Sequence, residues 1–145
     1  MLYSTVIYIH VISAILSIGP FFVLFPILNK MKKTESMDAF AAYVSAFQLG
    51  VTVVKHAGHL LVIFGLLAVW LGPWQLMTPW VLTTLIMLLA SVVYLARAFK
   101  PTIKKFGIEK FEKIQFVNKL RQGVVVYTFL LLVMLWLMVV KPNLW

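Results

Sequence analysis

Along the chain, four long apolar segments alternate with short polar ones. The apolar segments cover about residues 2–28, 39–71, 79–99 and 121–140. A helix needs about 20 mostly apolar residues to cross the hydrocarbon core of a bilayer, and each segment comes close to or exceeds that length. The pattern therefore predicts an all-α fold, an integral membrane four-helix bundle formed by one domain, 1–145.

The overall composition agrees with this class of protein. Hydrophobic residues make up 63% of the chain and charged residues 12%, and the mean hydropathy is +1.00. Such values are typical of integral membrane proteins rather than soluble ones. The chain has no cysteine, which excludes disulfides, thiolate metal sites and cysteine catalysis.

The charges predict the orientation of the bundle in its membrane. Eleven of the 13 lysines and arginines lie in two regions, between apolar segments or at their edges: Lys30, Lys32 and Lys33, then Arg97, Lys100, Lys104, Lys105, Lys110, Lys113, Lys119 and Arg121. Basic residues accumulate on the cytoplasmic side of membrane proteins and attract anionic lipid head groups. We therefore expect a multi-pass protein of the cytoplasmic membrane with both termini outside. Contact with lipid, and not with nucleic acid, accounts for the net charge of +9.

The polar segments between the predicted spans carry further signals. Ser36 or Asp38 is suited to cap the second helix, since short oxygen-bearing side chains accept hydrogen bonds from the first helical amides. Residues 100–119 combine lysines with interspersed aromatic and aliphatic residues, which predicts an amphipathic stretch on the cytoplasmic membrane surface. All four acidic residues, Glu35, Asp38, Glu109 and Glu112, lie in these segments. We therefore do not expect a proton path or a hydrolase that depends on membrane-embedded carboxylates.

A polar stripe on the second predicted helix contains the strongest candidate for a functional site. Steps of three and four residues place its members on one helical face: Ser45, Gln48, Thr52, Lys55, His56 and His59. Ionisable side chains inside a membrane span are costly and often functional. Lys55 lies only about 8 Å from the predicted inner boundary, so it can also extend its ammonium group to the interface.

The depth of the histidines suggests a shared ligand. At a rise of 1.5 Å per residue, His10 lies about 12 Å from the outer boundary, His59 about 16 Å and His56 about 21 Å. His10 and His59 could thus hold one planar cofactor or one metal ion between neighbouring helices. The alternative is a structural role, in which His10 forms a hydrogen bond with Ser13 or Ser17.

Other residues fit a flat cofactor. Gly58, beside His59, and Gly65, two turns further along, would leave room for a ring near the helix backbone. Arg97 and Arg121 could pair with the carboxylates of a cofactor, or with lipid phosphates at the inner boundary.

The layout also resembles a known group of small membrane proteins. The resemblance rests on His10 followed nine residues later by Gly19, a basic loop, a long second helix, and a polar segment from Phe116 to Arg121 that introduces the last span. These features are similar to those of the group that includes HemJ-type protoporphyrinogen oxidases and the copper-resistance D membrane domain. In the HemJ-type proteins the first-span histidine ligates haem b, which implies that role for His10. The third span here lacks that family's intramembrane lysine, so the resemblance favours haem binding over the oxidase activity.

We therefore expect a membrane protein that binds b-type haem through His10 and His59, with His56 as the alternate ligand. Its role would be electron transfer, or redox chemistry with a porphyrin, a quinone or a redox partner. The protein could form a homo-oligomer. Whether it is an enzyme stays open. Two alternatives are a transporter or permease-like subunit with a path lined by Lys55, His56 and His59, and a structural subunit of a larger membrane complex.

Overall fold

Four long helices and one short one form the part of the chain that the structure, a computed structural model, describes: residues 1–106 and 112–144. The elements are α1 (Leu2–Lys33), α2 (Met37–Leu71), α3 (Pro79–Ala98), α4 (Lys100–Ile103) and α5 (Lys113–Val140). The described residues contain no β-strand, and the all-α prediction is confirmed. Each long helix is long and apolar enough to cross a membrane.

The four long helices run alternately up and down. Contacts between opposite helix ends show this, because Gly72 at the end of α2 lies against Tyr3 at the start of α1. Likewise Gly123 near the start of α5 lies against Phe99 at the end of α3. One end of the bundle therefore carries the α2–α3 turn with Trp74, and we call it the tryptophan end. The opposite end carries the clustered lysines and arginines, and we call it the basic end.

Two helices are longer than the predicted spans at the basic end. The helix α1 continues to Lys33, and only residues 34–36 separate it from α2, whose N-cap is Ser36. The helix α5 begins at Lys113, eight residues before the predicted span. The polar segment before the last span is therefore its first two turns and not a separate surface stretch. Residues 107–111 of the predicted amphipathic stretch lie outside the described residues.

An aromatic cluster closes the basic end of the bundle. The rings of Phe47 and Phe99 have centroids 5.6 Å apart, and Phe40 lies 5.9 Å from Phe116 and 5.8 Å from Phe106. Phe40, Phe47 and Phe99 are at most 1% exposed. Rings at these separations pack favourably beyond their burial alone. The cluster joins the first half of α2 to the C-terminal end of α3 and the start of α5.

The tryptophan end is less tightly filled. The helix α2 ends at Leu71, and the turn that follows brings the ring of Trp74 to 5.2 Å from that of Trp80. The helix α5 ends beside them, where Lys141 reaches Trp74 with its ammonium group. Between the four helices at this end lies a large cavity.

Candidate functional site

The cavity at the tryptophan end has a volume of about 590 Å³. All four long helices contribute to its wall, and most of the lining side chains are apolar. Its size and lining fall within the usual range of small-molecule and cofactor pockets, about 300–1,000 Å³. The lining includes one histidine, His10, and one lysine, Lys141. The cavity therefore combines an apolar body with a few specific polar groups.

His10 is held in one orientation by the backbone of the neighbouring helix. Its Nδ1 atom lies 3.0 Å from the carbonyl oxygen of Leu61. A carbonyl oxygen can only accept a hydrogen bond, so Nδ1 carries the hydrogen. In the neutral imidazole, Nε2 then keeps its lone pair and is free to bind a metal. Histidines that ligate metals commonly donate their other ring hydrogen to a carbonyl in this way.

Gly65 allows the imidazole to lie close to α2. A Cβ atom placed on Gly65 would lie 3.0 Å from Cε1 of His10 and 3.3 Å from Nδ1. Both distances are shorter than ordinary van der Waals contact, so a methyl group here would require the ring to shift by a few tenths of an ångström. Leu61 and Gly65 are four residues apart and share one face of α2, which is the face that receives His10.

The structure does not bring His59 to His10. The side chains of Lys55, His56 and His59 are all exposed, and the rings of the two histidines have centroids 6.3 Å apart. On a helix, His59 points about 160° away from Leu61, because each residue turns the direction by about 100°. His56 and His59 therefore form a pair of their own on the outer surface of α2.

Arg97 and Arg121 also lie away from the cavity. Arg97 is in the last turn of α3 and Arg121 is in α5 near its start, so both belong to the basic end. Both side chains are exposed. The histidine cavity lies at the opposite end of the bundle, and neither arginine lines it. Among the predicted ligands and charge partners, only His10 lines the cavity, and Gly65, predicted to leave room for a ring, lines it as well.

Several residues of the cavity wall that could contact a ligand were not among the predicted site residues. Trp74, Trp80 and Lys141 line it at the tryptophan end. Tryptophans at a turn between two apolar segments, and a lysine at the end of the last one, are typical of a membrane boundary. That signal does not distinguish side chains that face lipid from side chains that face inward. The sequence does not indicate that the C-terminal end of α5 lies beside the α2–α3 turn, and this proximity brings the three residues to the cavity.

Hydroxyl groups near the cavity are mostly bonded to their own helices. Ser13 donates to the carbonyl of Ile9, and Thr84 donates to the carbonyl of Trp80. Within the described residues, buried Ser17 and Thr128 lack a hydrogen-bond partner for their hydroxyl oxygens. The predicted alternative, a hydrogen bond from His10 to Ser13 or Ser17, is replaced by the bond to Leu61.

No group of three or more histidine and carboxylate side chains within the described residues could hold a bare metal ion. A metal that binds His10 would need further ligands from another source. A porphyrin supplies four nitrogen ligands itself, so one imidazole suffices to attach it to a protein.

No family model, curated protein or solved structure matches this chain.

Proposed function

We propose that this chain is a four-span protein of the cytoplasmic membrane that binds b-type haem in the cavity, with His10 as the axial ligand. The single observation that supports this most is the bond between Nδ1 of His10 and the carbonyl of Leu61 in the cavity wall. It fixes the ring and leaves Nε2 as a ligand. The apolar lining suits the porphyrin body, and haem would supply a reversible one-electron change at iron.

The proposal assigns one protein ligand and not two. His59 and His56 lie on the exposed face of α2, so His10 is the histidine that can serve the cavity. With His10 as the one protein ligand, the site would favour redox chemistry with a small molecule, such as a porphyrin or quinone, over simple electron transfer.

The membrane topology belongs to the same proposal. With the basic end in the cytoplasm, both termini and the tryptophan end lie outside. Tryptophans at that end would lie at the membrane–water boundary, as their amphipathic rings prefer. The cavity would then be near the outer surface, where an extracytoplasmic redox partner could reach it.

An absorption spectrum tests the proposal. The protein purified from haem-replete cells should show the strong Soret band of bound haem. The His10→Ala variant should lose it, while still eluting as a folded protein. Absence of the band from the wild type, or its persistence unchanged in His10→Ala, would refute haem ligation by His10.

A second candidate function is that of a subunit in a larger membrane complex, either a structural subunit or part of a transporter with a polar path. The exposed positions of Lys55, His56 and His59 favour it, because polar groups facing lipid lack hydrogen-bond partners. A neighbouring protein could supply them. Under this function, His56→Ala together with His59→Ala would release the chain from its complex when membranes are solubilised gently, and the Soret band would not change.

A further inference from the structure

Two histidines on the outer face of α2 lack hydrogen-bond partners. His56 and His59 are exposed on the surface of the bundle, and neither imidazole forms a hydrogen bond with another described residue. At about 21 and 16 Å from the outer boundary, both would lie within the hydrocarbon core of the membrane. Polar groups at that depth need a partner, because lipid chains offer none. The described residues of this chain do not supply it.

Other polar residues of this face do not share that need. Thr52, one turn before His56, donates its hydroxyl hydrogen to the carbonyl of Gln48. Lys55 is exposed as well, but side chains of a helix lean toward its N-terminus, which for α2 is the basic end. The long lysine side chain can therefore extend its ammonium group to that boundary, away from the two imidazoles.

The two imidazoles are placed to share one metal ion. They are three residues apart, so they lie on the same side of the helix, and their ring centres are 6.3 Å apart. On a tetrahedral ion with bonds of about 2.0–2.1 Å to nitrogen, two imidazoles have ring centres about 5 Å apart. Both side chains are exposed, so a change of rotamer can bring the rings that much closer. Zn²⁺ and similar divalent ions favour imidazole ligands.

One chain supplies only half of a tetrahedral set of ligands. Within the described residues, no third histidine or carboxylate joins the pair in a metal-binding group. Two copies insert with the same orientation, since both carry the same basic end. In a dimer whose two-fold axis follows the membrane normal, residues beside the axis face their own counterparts at the same depth. A second copy would therefore bring its own His56 and His59 to the same level.

The surface around the pair suits a second α2 helix. Apolar Leu49 and Ile63 are exposed on either side of it along the helix. Alternating steps of three and four residues connect the exposed positions Leu49, Thr52, His56, His59 and Ile63. This is the spacing of a seam between two parallel helices, and a small residue such as threonine lets helices approach closely in a membrane.

We propose that His56 and His59 of two copies of this chain bind one divalent transition-metal ion, such as Zn²⁺, on a two-fold axis between their α2 helices. Four neutral imidazoles complete the tetrahedral coordination that this ion prefers. The inference rests on the proposed function only in taking α2 as a membrane span. It involves neither His10 nor haem.

Titration with Co²⁺ tests the site, because this ion accepts the same ligands as Zn²⁺ and absorbs visible light more strongly when its coordination is tetrahedral. The full chain is purified in detergent without a histidine tag and freed of metal and chelator. It has three histidines and no cysteine, so few other strong ligands compete. We expect the tetrahedral absorption to saturate at one ion per two chains, and light scattering to show a doubled protein mass.

Single variants identify the ligands. His56→Ala and His59→Ala should each weaken Co²⁺ binding at least about tenfold, since loss of even an outer partner of a ligand has that effect. The matched control, His10→Ala, should bind Co²⁺ as the wild type does. Absence of binding by the wild type would overturn the proposal, as would saturation at one ion per chain. Unchanged binding in both His56→Ala and His59→Ala would also overturn it.

Crosslinking in native membranes tests the same axis. Leu49→Cys lies two turns before His56 on the seam, and Phe22→Cys is an exposed control on α1 at a similar distance from the tryptophan end. A short bismaleimide should join two copies of Leu49→Cys, and less so when His56→Ala and His59→Ala are added. Little dimer should form from Phe22→Cys. Equal dimer formation by both cysteine variants would contradict an axis beside α2.

Failure of this inference can be told apart from failure of haem binding. If Co²⁺ binds through His56 and His59 while no Soret band appears, the metal site stands and haem binding falls. If haem binding requires His10 while the wild type binds no Co²⁺, the haem proposal stands and the metal site falls. A chain that remains in the soluble fraction of broken cells would refute the membrane span on which this inference rests.

Discussion

The imidazole of His10 packs against Gly65 so closely that a Cβ on the glycine would lie 3.0 Å from Cε1. One turn away, the carbonyl of Leu61 accepts the hydrogen of Nδ1. Position and orientation of the ring are thus set by two backbone features of α2. This relationship makes α2 a support for the cavity although its own histidines face elsewhere.

Gly65→Ala should therefore displace His10 without removing it. The added methyl group requires the ring to move by a few tenths of an ångström, which should weaken its hydrogen bond to Leu61. Loss of an orienting partner typically weakens metal binding about 10–100-fold, and we expect a decrease of that order in haem affinity. Haem titration followed by absorbance measures it.

Gly58→Ala is the matched control in the same helix. A Cβ on Gly58 would meet no atom within 4 Å. Alanine in place of a helical glycine should leave haem affinity unchanged and raise helix stability by up to about 1 kcal/mol. Equal effects of Gly65→Ala and Gly58→Ala on haem affinity would mean that the contact with His10 does not position the ring.

We expect the stability of the bundle to depend strongly on the side chains of the aromatic cluster at the basic end. Phe47 is fully buried and packs against the ring of Phe99. Removal of a buried phenylalanine side chain costs about 3–5 kcal/mol, because the cavity it leaves collapses only in part. Phe47→Ala should therefore lower the midpoint of thermal unfolding clearly, as followed by circular dichroism in detergent.

Phe22→Ala provides the comparison for that prediction. Phe22 is 57% exposed, and on the surface of a membrane bundle it would face lipid. Truncation there leaves no internal cavity and should change the midpoint little. A similar loss in both variants would show that the cluster at the basic end does not stabilise the bundle more than its surface does.

The orientation of the bundle can be measured directly, because the chain has no cysteine of its own. Gln75 lies in the turn at the tryptophan end and Lys104 after α4 at the basic end, and both are exposed. In intact cells, a membrane-impermeant thiol reagent should label Gln75→Cys but not Lys104→Cys. The reverse labelling would invert the proposed topology.

The helical segments could be predicted from the sequence because hydropathy over about 20 residues determines which segments suit a membrane. The start of α5 was harder to predict from the sequence. Its first turns contain lysines and an arginine and therefore suggested a surface segment. The buried residues Phe116, Val117, Leu120, Gly123 and Val124 follow the spacing of one helical face and continue directly into the span. Periodicity was the better signal there than charge.

The candidate site shows what the depth of a histidine in the membrane can and cannot predict. Counting residues at 1.5 Å each locates a side chain along the helix axis but says nothing about its direction around it. His10 and His59 were expected at similar depth, and the helices do run antiparallel. The direction around α2 depends on which of its faces meets α1, and Leu61 and Gly65 occupy that face. Small residues at the interface, such as Gly65, were a usable signal for it.

Haem titration of three proteins in nanodiscs tests the central claim that His10 alone attaches the haem. These are the wild type, His10→Ala, and the double variant His56→Ala with His59→Ala. We expect His10→Ala to lose at least about tenfold in affinity, since loss of even an outer partner of a metal ligand has that effect. The double variant should bind haem as the wild type does. Unchanged affinity in His10→Ala, or loss of binding in the double variant alone, would contradict the account.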